Sequence, residues 1–180
     1  VDEEVALWLE LSRKLGVAAS RLLDGAPVSL EVTGCGELST EKLDVLGLSA
    51  VRGLFSGVTD EAITFVNAPQ VAEQRGLQIN VDSQTESAYH RSSLQVKVVN
   101  SNGESATVVG ALTGTERIEK IVRIDGRGVD MRAEGRNLFF QYTDVPGALG
   151  IVGTELGSAG INIEAAALTQ AAKGDGAILI

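Results

Sequence analysis

The segment of this sequence best suited to holding a small molecule is Asp144-Val145-Pro146-Gly147-Ala148-Leu149-Gly150, followed by Gly160-Ile161-Asn162-Ile163. A polar strand end runs into a proline–glycine helix start, and a second strand opens on asparagine. Pro146 at a first helical position presets φ and gives up an N–H that would have no intrahelical partner. Gly147 lets a ligand approach the backbone, and the first-turn N–H groups favour a carboxylate. Asp144 is placed to take an amino group and Asn162 to bridge both ends. The chemistry is capture of a small zwitterion. The competing interpretation is an ordinary strand–turn–helix.

A second set of candidates is basic. Lys120, Arg123, Arg127, Arg132 and Arg136 form the one basic cluster, in a stretch from Glu116 to Arg136 that holds 6 basic and 5 acidic residues while the whole chain carries −9. On adjoining strands these cations can converge on a phosphate or carboxylate, with Lys120 and Arg132 the preferred members. The alternative is a solvated strand face with weak ion pairs to Glu119 and Asp130. His90-Arg91, in a polar loop, is a weaker anion contact, and Cys35 between two glycines is more simply a small packing residue.

Composition narrows the remaining chemistry. The acidic balance argues against nucleic acid as a general partner, since phosphate neutralisation needs a basic footprint. A single cysteine excludes an internal disulfide and fits a reducing, cytoplasmic setting, and a single histidine rules out His-His metal motifs. No apolar run approaches ~20 residues, so no membrane span is expected. The start, Val1-Asp2-Glu3-Glu4, resembles neither a signal peptide nor a natural initiation, which suggests a piece of a longer chain. Gly34-Cys35-Gly36-Glu37-Leu38-Ser39 is a near miss of a dinucleotide loop: the third glycine is Ser39 and the strand before it alternates instead of running apolar. Neither a metal site nor a catalytic set is expected in this chain.

These residues must be positioned by an α+β scaffold. Val5, Trp8, Leu11, Leu15, Ala18 and Leu22 fall at helical spacing, predicting a helix from Asp2 to Leu23 with Trp8 in the core. A half-buried strand over Val28–Thr33 leads to a second helix, capped by Ser39 or Thr40 and running to Phe55. Gly47, Gly53 and Gly57 lie in or at the end of that helix, where close packing would account for them. Asp60–Val66 mixes strand formers with a turn entry, and Asn67-Ala68-Pro69 caps a short helix. Leu77–Val81 reads as a strand and Asp82–Ser93 as a loop. Leu94–Val99 and Ala106–Leu112 flank Asn102-Gly103, a hairpin signal. Strands follow at Arg117–Ile124, Val129–Arg132 and Asn137–Thr143, then a helix over Pro146–Ser158, a strand over Ile161–Thr169, a turn over Ala172–Gly176 and the start of a last strand at Ala177.

The Asp144–Gly150 signature with Asn162 resembles an ACT domain, a small amino-acid-sensing module. The helix from Glu4 to Leu22, the Val66-Asn67-Ala68-Pro69 segment and the Asn102-Gly103 hairpin resemble the intervening, allosteric substrate-binding domain of long-form D-3-phosphoglycerate dehydrogenases. The order of the two matches that family over essentially the whole chain. The resemblance implies an intervening domain over residues 1–132 and a ferredoxin-like (βαββαβ) ACT domain over 133–180, cut short after β-α-β-β. It implies an allosteric region of an NAD-dependent oxidoreductase of serine biosynthesis. L-Serine would be the feedback inhibitor, held by Tyr142, Asp144, Pro146, Gly147 and Asn162, with the second anion site of Lys120 and Arg132 near the domain interface. NAD would belong to the parent enzyme and not to this chain, and the assembly would be a homo-oligomer. The β chain of an iron–sulfur L-serine dehydratase and a stand-alone amino-acid-binding regulator are the alternatives. The long amphipathic first helix and the Asn-Ala-Pro segment favour the dehydrogenase.

Overall fold

A computed structural model describes residues 3–169, except 39, 61, 89 and 144, together with the strand at 175–179. The expected roles of Asp2 at a helix start, Ser39 as a cap and Asp144 in the site lie outside the described residues, as do most of the turn expected from Ala172 and the end at Ile180.

The helix α1 (Glu3–Arg21) opens on Glu3 and Glu4 and ends on Arg21, charges that suit the positive and negative ends of its dipole. It buries Trp8, Leu11, Leu15, Ala18 and Ala19. The strand β1 (Pro27–Gly36) leads into α2 (Thr40–Leu54). The expected strand formers over Asp60–Val66 instead make coil and turn at the described positions, 60 and 62–66. Val66 is 91% exposed and finds no strand partner or apolar face to pack on. In α3 (Ala68–Gln74) proline stands in the first turn, but Asn67 makes no side-chain cap. Its Oδ1 accepts instead from the Thr64 amide (2.6 Å) and hydroxyl (3.1 Å), closing the preceding turn.

The strands β2 (Gln78–Gln84), β3 (Ser92–Asn100), β4 (Ser105–Thr113), β5 (Ile118–Ile124) and β6 (Arg127–Arg132) complete a six-stranded mixed sheet of order β2-β1-β3-β4-β5-β6. Only the β1–β2 pair is parallel, its crossover made by α2 and α3. Both β2 and β3 reach further into the segment expected as a loop, because register pairing with β1 continues to Cys35↔Gln84 and Gly36↔Ser92. The β3–β4 hairpin is not a two-residue Asn-Gly turn. Asn100 and Glu104 close a three-residue loop in which Gly103 alone takes positive φ (82°). The two-residue turn is at Asp125-Gly126, with φ of 48° and 77° and Ile124 paired to Arg127.

One face of this sheet packs on α1 and α2. Leu30, Val32, Leu94, Val96, Val98, Val108 and Ile121 meet Leu11, Leu15, Leu43, Leu46, Val51 and Leu54 there. Each such side chain contributes roughly 1.5–3 kcal/mol on burial. The helices touch backbone to backbone. Ser12 Oγ donates to the Leu46 carbonyl (2.6 Å) and Ser49 Oγ to the Leu9 carbonyl (2.7 Å). A Cβ on Gly53 would overlap the Arg13 carbonyl, and one on Gly16 the Ala50 carbonyl. The close packing expected for the glycines of α2 holds at Gly53, whereas Gly57 stands past the helix in a positive-φ turn (77°).

Asn100 ties the helix-to-sheet connection to the hairpin. Its Nδ2 donates to the Asp24 carbonyl (2.7 Å) and to Glu104 (2.8 Å), while its Oδ1 accepts from the amides of Asn102 and Glu104. Asn100→Leu would leave those amides without a partner. The expected result in urea is a loss of about 1–3 kcal/mol with an unchanged m-value.

The strand β7 (Phe139–Thr143), the helix α4 (Ala148–Ser158) and the strands β8 (Ala167–Leu168) and β9 (Asp175–Leu179) form a second, three-stranded sheet of order β7-β9-β8 with its helix. All its pairs are antiparallel. The long strand expected over Ile161–Thr169 shortens to two residues, since only Ala167 and Leu168 pair with another strand, opposite Leu179 and Ile178. Phe139 and Ala167 pack on the core of the first sheet, so the two sheets are joined through apolar contact. The architecture is α+β throughout.

Candidate functional site

The expected effector residues gather around α4, though not at one place. Tyr142 lies half-buried on β7, paired across to Gly176. The helix does not begin at Pro146. Pro146 and Gly147 form the turn before it, Gly147 is the N-cap with φ of 90°, and Ala148 is the first helical residue. Glycine answers that geometry, since other residues are strained at such a φ. Leu149 and Gly150, in the first turn, carry N–H groups that have no acceptor within the helix. A Cβ built on Gly147 or Gly150 would meet nothing within 4 Å, so the approach to this helix end is open.

Asn162 is exposed and stands at the other end. The Ile161 amide donates to the Leu156 carbonyl (2.9 Å), which pins the chain to the C-terminal end of α4 just before Asn162. With 11 residues in the helix, the two ends are about 16 Å apart at 1.5 Å per residue. Within one chain, then, Asn162 stands about a helix length from Tyr142 and Gly147.

The two preferred basic candidates are neighbours. Lys120 and Arg132 are direct cross-strand partners on β5 and β6, so they share the outward face of the first sheet. Each meets a carboxylate. Lys120 Nζ bonds Asp130 Oδ1 at 2.7 Å, and Arg132 Nη1 reaches Glu134 Oε1 at 3.3 Å. Arg123 donates to the Gly126 carbonyl. A hollow of about 360 Å³ opens beside Lys120 and Arg123. A second, of about 730 Å³, lies between the β5–β6 turn and Leu168, where the two sheets meet. His90 lines the smaller hollow. Its one signal in the sequence was its place beside Arg91 in a polar loop.

Other candidates resolve into packing. Gly34 and Gly36 hold no room for a pyrophosphate: a Cβ on Gly34 would run into Leu43, and one on Gly36 (φ of 78°) would lie 3.0 Å from the Arg91 carbonyl carbon after overlapping its oxygen. The strand runs through both glycines, paired to β3, so this segment does not fit a dinucleotide. Among the described residues no three His, Cys, Asp or Glu side chains are placed to hold a metal ion, and no helix is long and apolar enough to cross a membrane. On α1, hydrogen bonds from Arg13 hold the Glu10 carboxyl below the usual carboxylate range.

The sequence profile of the D-3-phosphoglycerate dehydrogenase intervening domain matches residues 4–125, about two thirds of the chain. The chain belongs to that intervening-domain family. The match spans α1 through β5, the helix pair and all but the last strand of the six-stranded sheet. Likeness to individual proteins extends further. D-3-phosphoglycerate dehydrogenase of Mycobacterium tuberculosis is 52% identical over all 180 residues, which cover 34% of that protein. The Mycobacterium leprae protein of the same name is 48% identical over the same span. That of Archaeoglobus fulgidus is 35% identical over 156 residues, or 87% of this chain. The chain spans about a third of the length of the mycobacterial relatives. For this intervening-domain member, the likeness therefore continues through the second sheet and α4, beyond the profile match.

Proposed function

We propose that this chain is the allosteric region of an NAD-dependent D-3-phosphoglycerate dehydrogenase of serine biosynthesis. Its intervening domain takes residues 1–132 and an ACT domain residues 133–180. The observation that carries the reading is identity to named dehydrogenases over the whole chain, through both sheets. The NAD site and the chemistry belong to the parent enzyme, a cytoplasmic homo-oligomer in this reading.

L-Serine is the effector. Its carboxylate sits on the N-terminal turn of α4 and its amino group on Asp144, with Tyr142 and the Pro146-Gly147 turn lining the site. Because Asn162 stands a helix length away, the Asn162 that completes a site comes from a second copy, which places the effector across a two-fold interface. Exposed apolar residues on and beside α4 support such pairing: Val145, Leu149, Ile151 and Ile161, with Ile151 67% exposed. Serine shifts the parent enzyme only to the extent that it binds the paired, inhibited state more tightly. Calorimetry with L-serine, L-alanine and glycine, run beside size-exclusion chromatography, tests the reading. Serine-selective heat together with serine-promoted dimers is the expected result; heat that does not distinguish serine from alanine defeats it.

The outward face of β5 and β6 is the second anion site, a place for a phosphate- or carboxylate-bearing ligand. Lys120→Ala with Arg132→Ala is expected to weaken inorganic phosphate binding about tenfold or more, with a steep dependence on salt because the contacts are exposed. Phosphate binding that survives both substitutions makes the face a solvated one.

A further inference from the structure

The smaller hollow also holds an imidazole, that of His90. Its lining includes His90, Thr113, Lys120, Val122, Arg123 and Asp130. Three of these belong to β5, one to the end of β4 and one to β6, while His90 arrives from the segment just before β3. The register explains its arrival. Leu94 is paired with Gly110, so the chain entering β3 runs alongside the exit of β4, where Thr113 stands.

The charges in the hollow are few enough to count. Lys120 and Arg123 are cationic and Asp130 is anionic, so the lining carries net +1 with a neutral imidazole and +2 with a protonated one. Protonating one side chain doubles the field offered to an incoming anion. Imidazole titrates near pH 6.5, inside the range where a cell or a buffer can move it. Arg91, the charged neighbour on His90's own segment, is engaged at 2.7 Å with Glu37, and both side chains are largely exposed. The groups that face His90 from the packed elements are Lys120 and Arg123 of β5 and Asp130 of β6. The counter-ion is removable. The Asp130 side chain is 77% exposed, whereas that of Lys120 is 24% exposed. The ammonium is therefore held in place by its packed stem, and the carboxylate beside it is free to swing into solvent when an anion enters.

We infer that His90 is a third, proton-gated cation of this hollow, so that a tetrahedral dianion binds there more tightly as pH falls through the imidazole titration. The inference rests on the second-anion-site reading above and adds its regulation by protons. Binding and protonation are linked reciprocally: if a proton tightens the anion, the anion raises the pKa of the imidazole by the matching amount.

The test uses the whole chain and sulfate, a probe whose own charge does not change between pH 5.5 and 8.5. His90 is the single histidine in the sequence, so its imidazole Cε1–H gives one NMR signal that can be followed without further assignment. At constant ionic strength, saturating sulfate is expected to raise the titration midpoint of that signal by about half a unit to one unit. By linkage, calorimetry should then show sulfate binding about three- to tenfold tighter at pH 5.5 than at pH 8.0. His90→Asn should flatten that pH dependence, and Lys120→Ala should weaken sulfate at both pH values. Sulfate binding that is weakened by Lys120→Ala, yet leaves the His90 midpoint unmoved, overturns the role of His90 while the anion face stands. An absence of sulfate binding at both pH values overturns the anion face and the histidine's role together.

Discussion

Gly53→Ala is expected to lower the melting temperature of the chain by about 6–12 °C, and Gly153→Ala to leave it unchanged or raise it slightly. In an isolated helix both changes are favourable, by up to about 1 kcal/mol each. The structure separates them. At Gly53 a Cβ would overlap the Arg13 carbonyl oxygen and lie 2.8 Å from its carbon and 3.0 Å from the Val17 nitrogen. Those are backbone atoms of α1, which cannot turn aside as a flexible side chain would. Relief requires the helices to part, which breaks the Ser12 and Ser49 bonds and loosens the core behind them. Overpacking of a movable core costs about 1–3 kcal/mol. With backbone as the obstacle the net loss should reach about 3 kcal/mol, and a chain of this size loses about 2–4 °C per kcal/mol. At Gly153, in α4, a Cβ meets nothing within 4 Å. Paired melting curves decide the matter. Equal melting temperatures for the two variants would show that α1 and α2 do not pack backbone to backbone in solution.

Asp144→Ala and Asn162→Ala are each expected to weaken L-serine binding by about ten- to a hundredfold. The loss of one charge-assisted hydrogen bond is typically about 1.5–3 kcal/mol. The geometry around α4 adds a sharper expectation. If each site takes Asp144 from one copy and Asn162 from the other, the two single variants fail at opposite halves of the same site. A mixed dimer of Asp144→Ala and Asn162→Ala chains then contains one doubly altered site and one intact site. Mixing the two variants should restore tight serine binding in the mixed dimers, at one site per dimer. Calorimetry of the mixture against each variant alone measures this. Full-strength serine binding by either variant alone removes that residue from the site. Weak binding that mixing never restores places both residues in one copy, against the 11-residue helix that separates their ends.

The sequence by itself determined the elements whose signals are local. Periodic apolar residues from Val5 to Leu22 gave α1, Asn102-Gly103 marked the β3–β4 hairpin, and strands rich in β-branched residues gave the sheet and the α+β class. Each depends on side chains a few residues apart, which is the range over which periodicity and turn chemistry act. Near-misses arose where a partner strand set the limits. Ile161–Thr169 has strand-forming residues, but only Ala167 and Leu168 are paired to another strand. The lengthening of β1 through Gly34 and Gly36 follows from its pairing with β3, which a dinucleotide-like spelling conceals. The type and order of Tyr142, Pro146, Gly147 and Asn162 were legible, whereas their distribution over the two ends of α4 was not, because linear spacing does not report distance along a helix axis. Lys120 and Arg132 are twelve positions apart in the chain, and only the antiparallel register made them neighbours. His90 joined Lys120 across β4 for the same reason. Tertiary structure decided what the glycines of α2 are for, since a missing Cβ has meaning only where another backbone occupies its place.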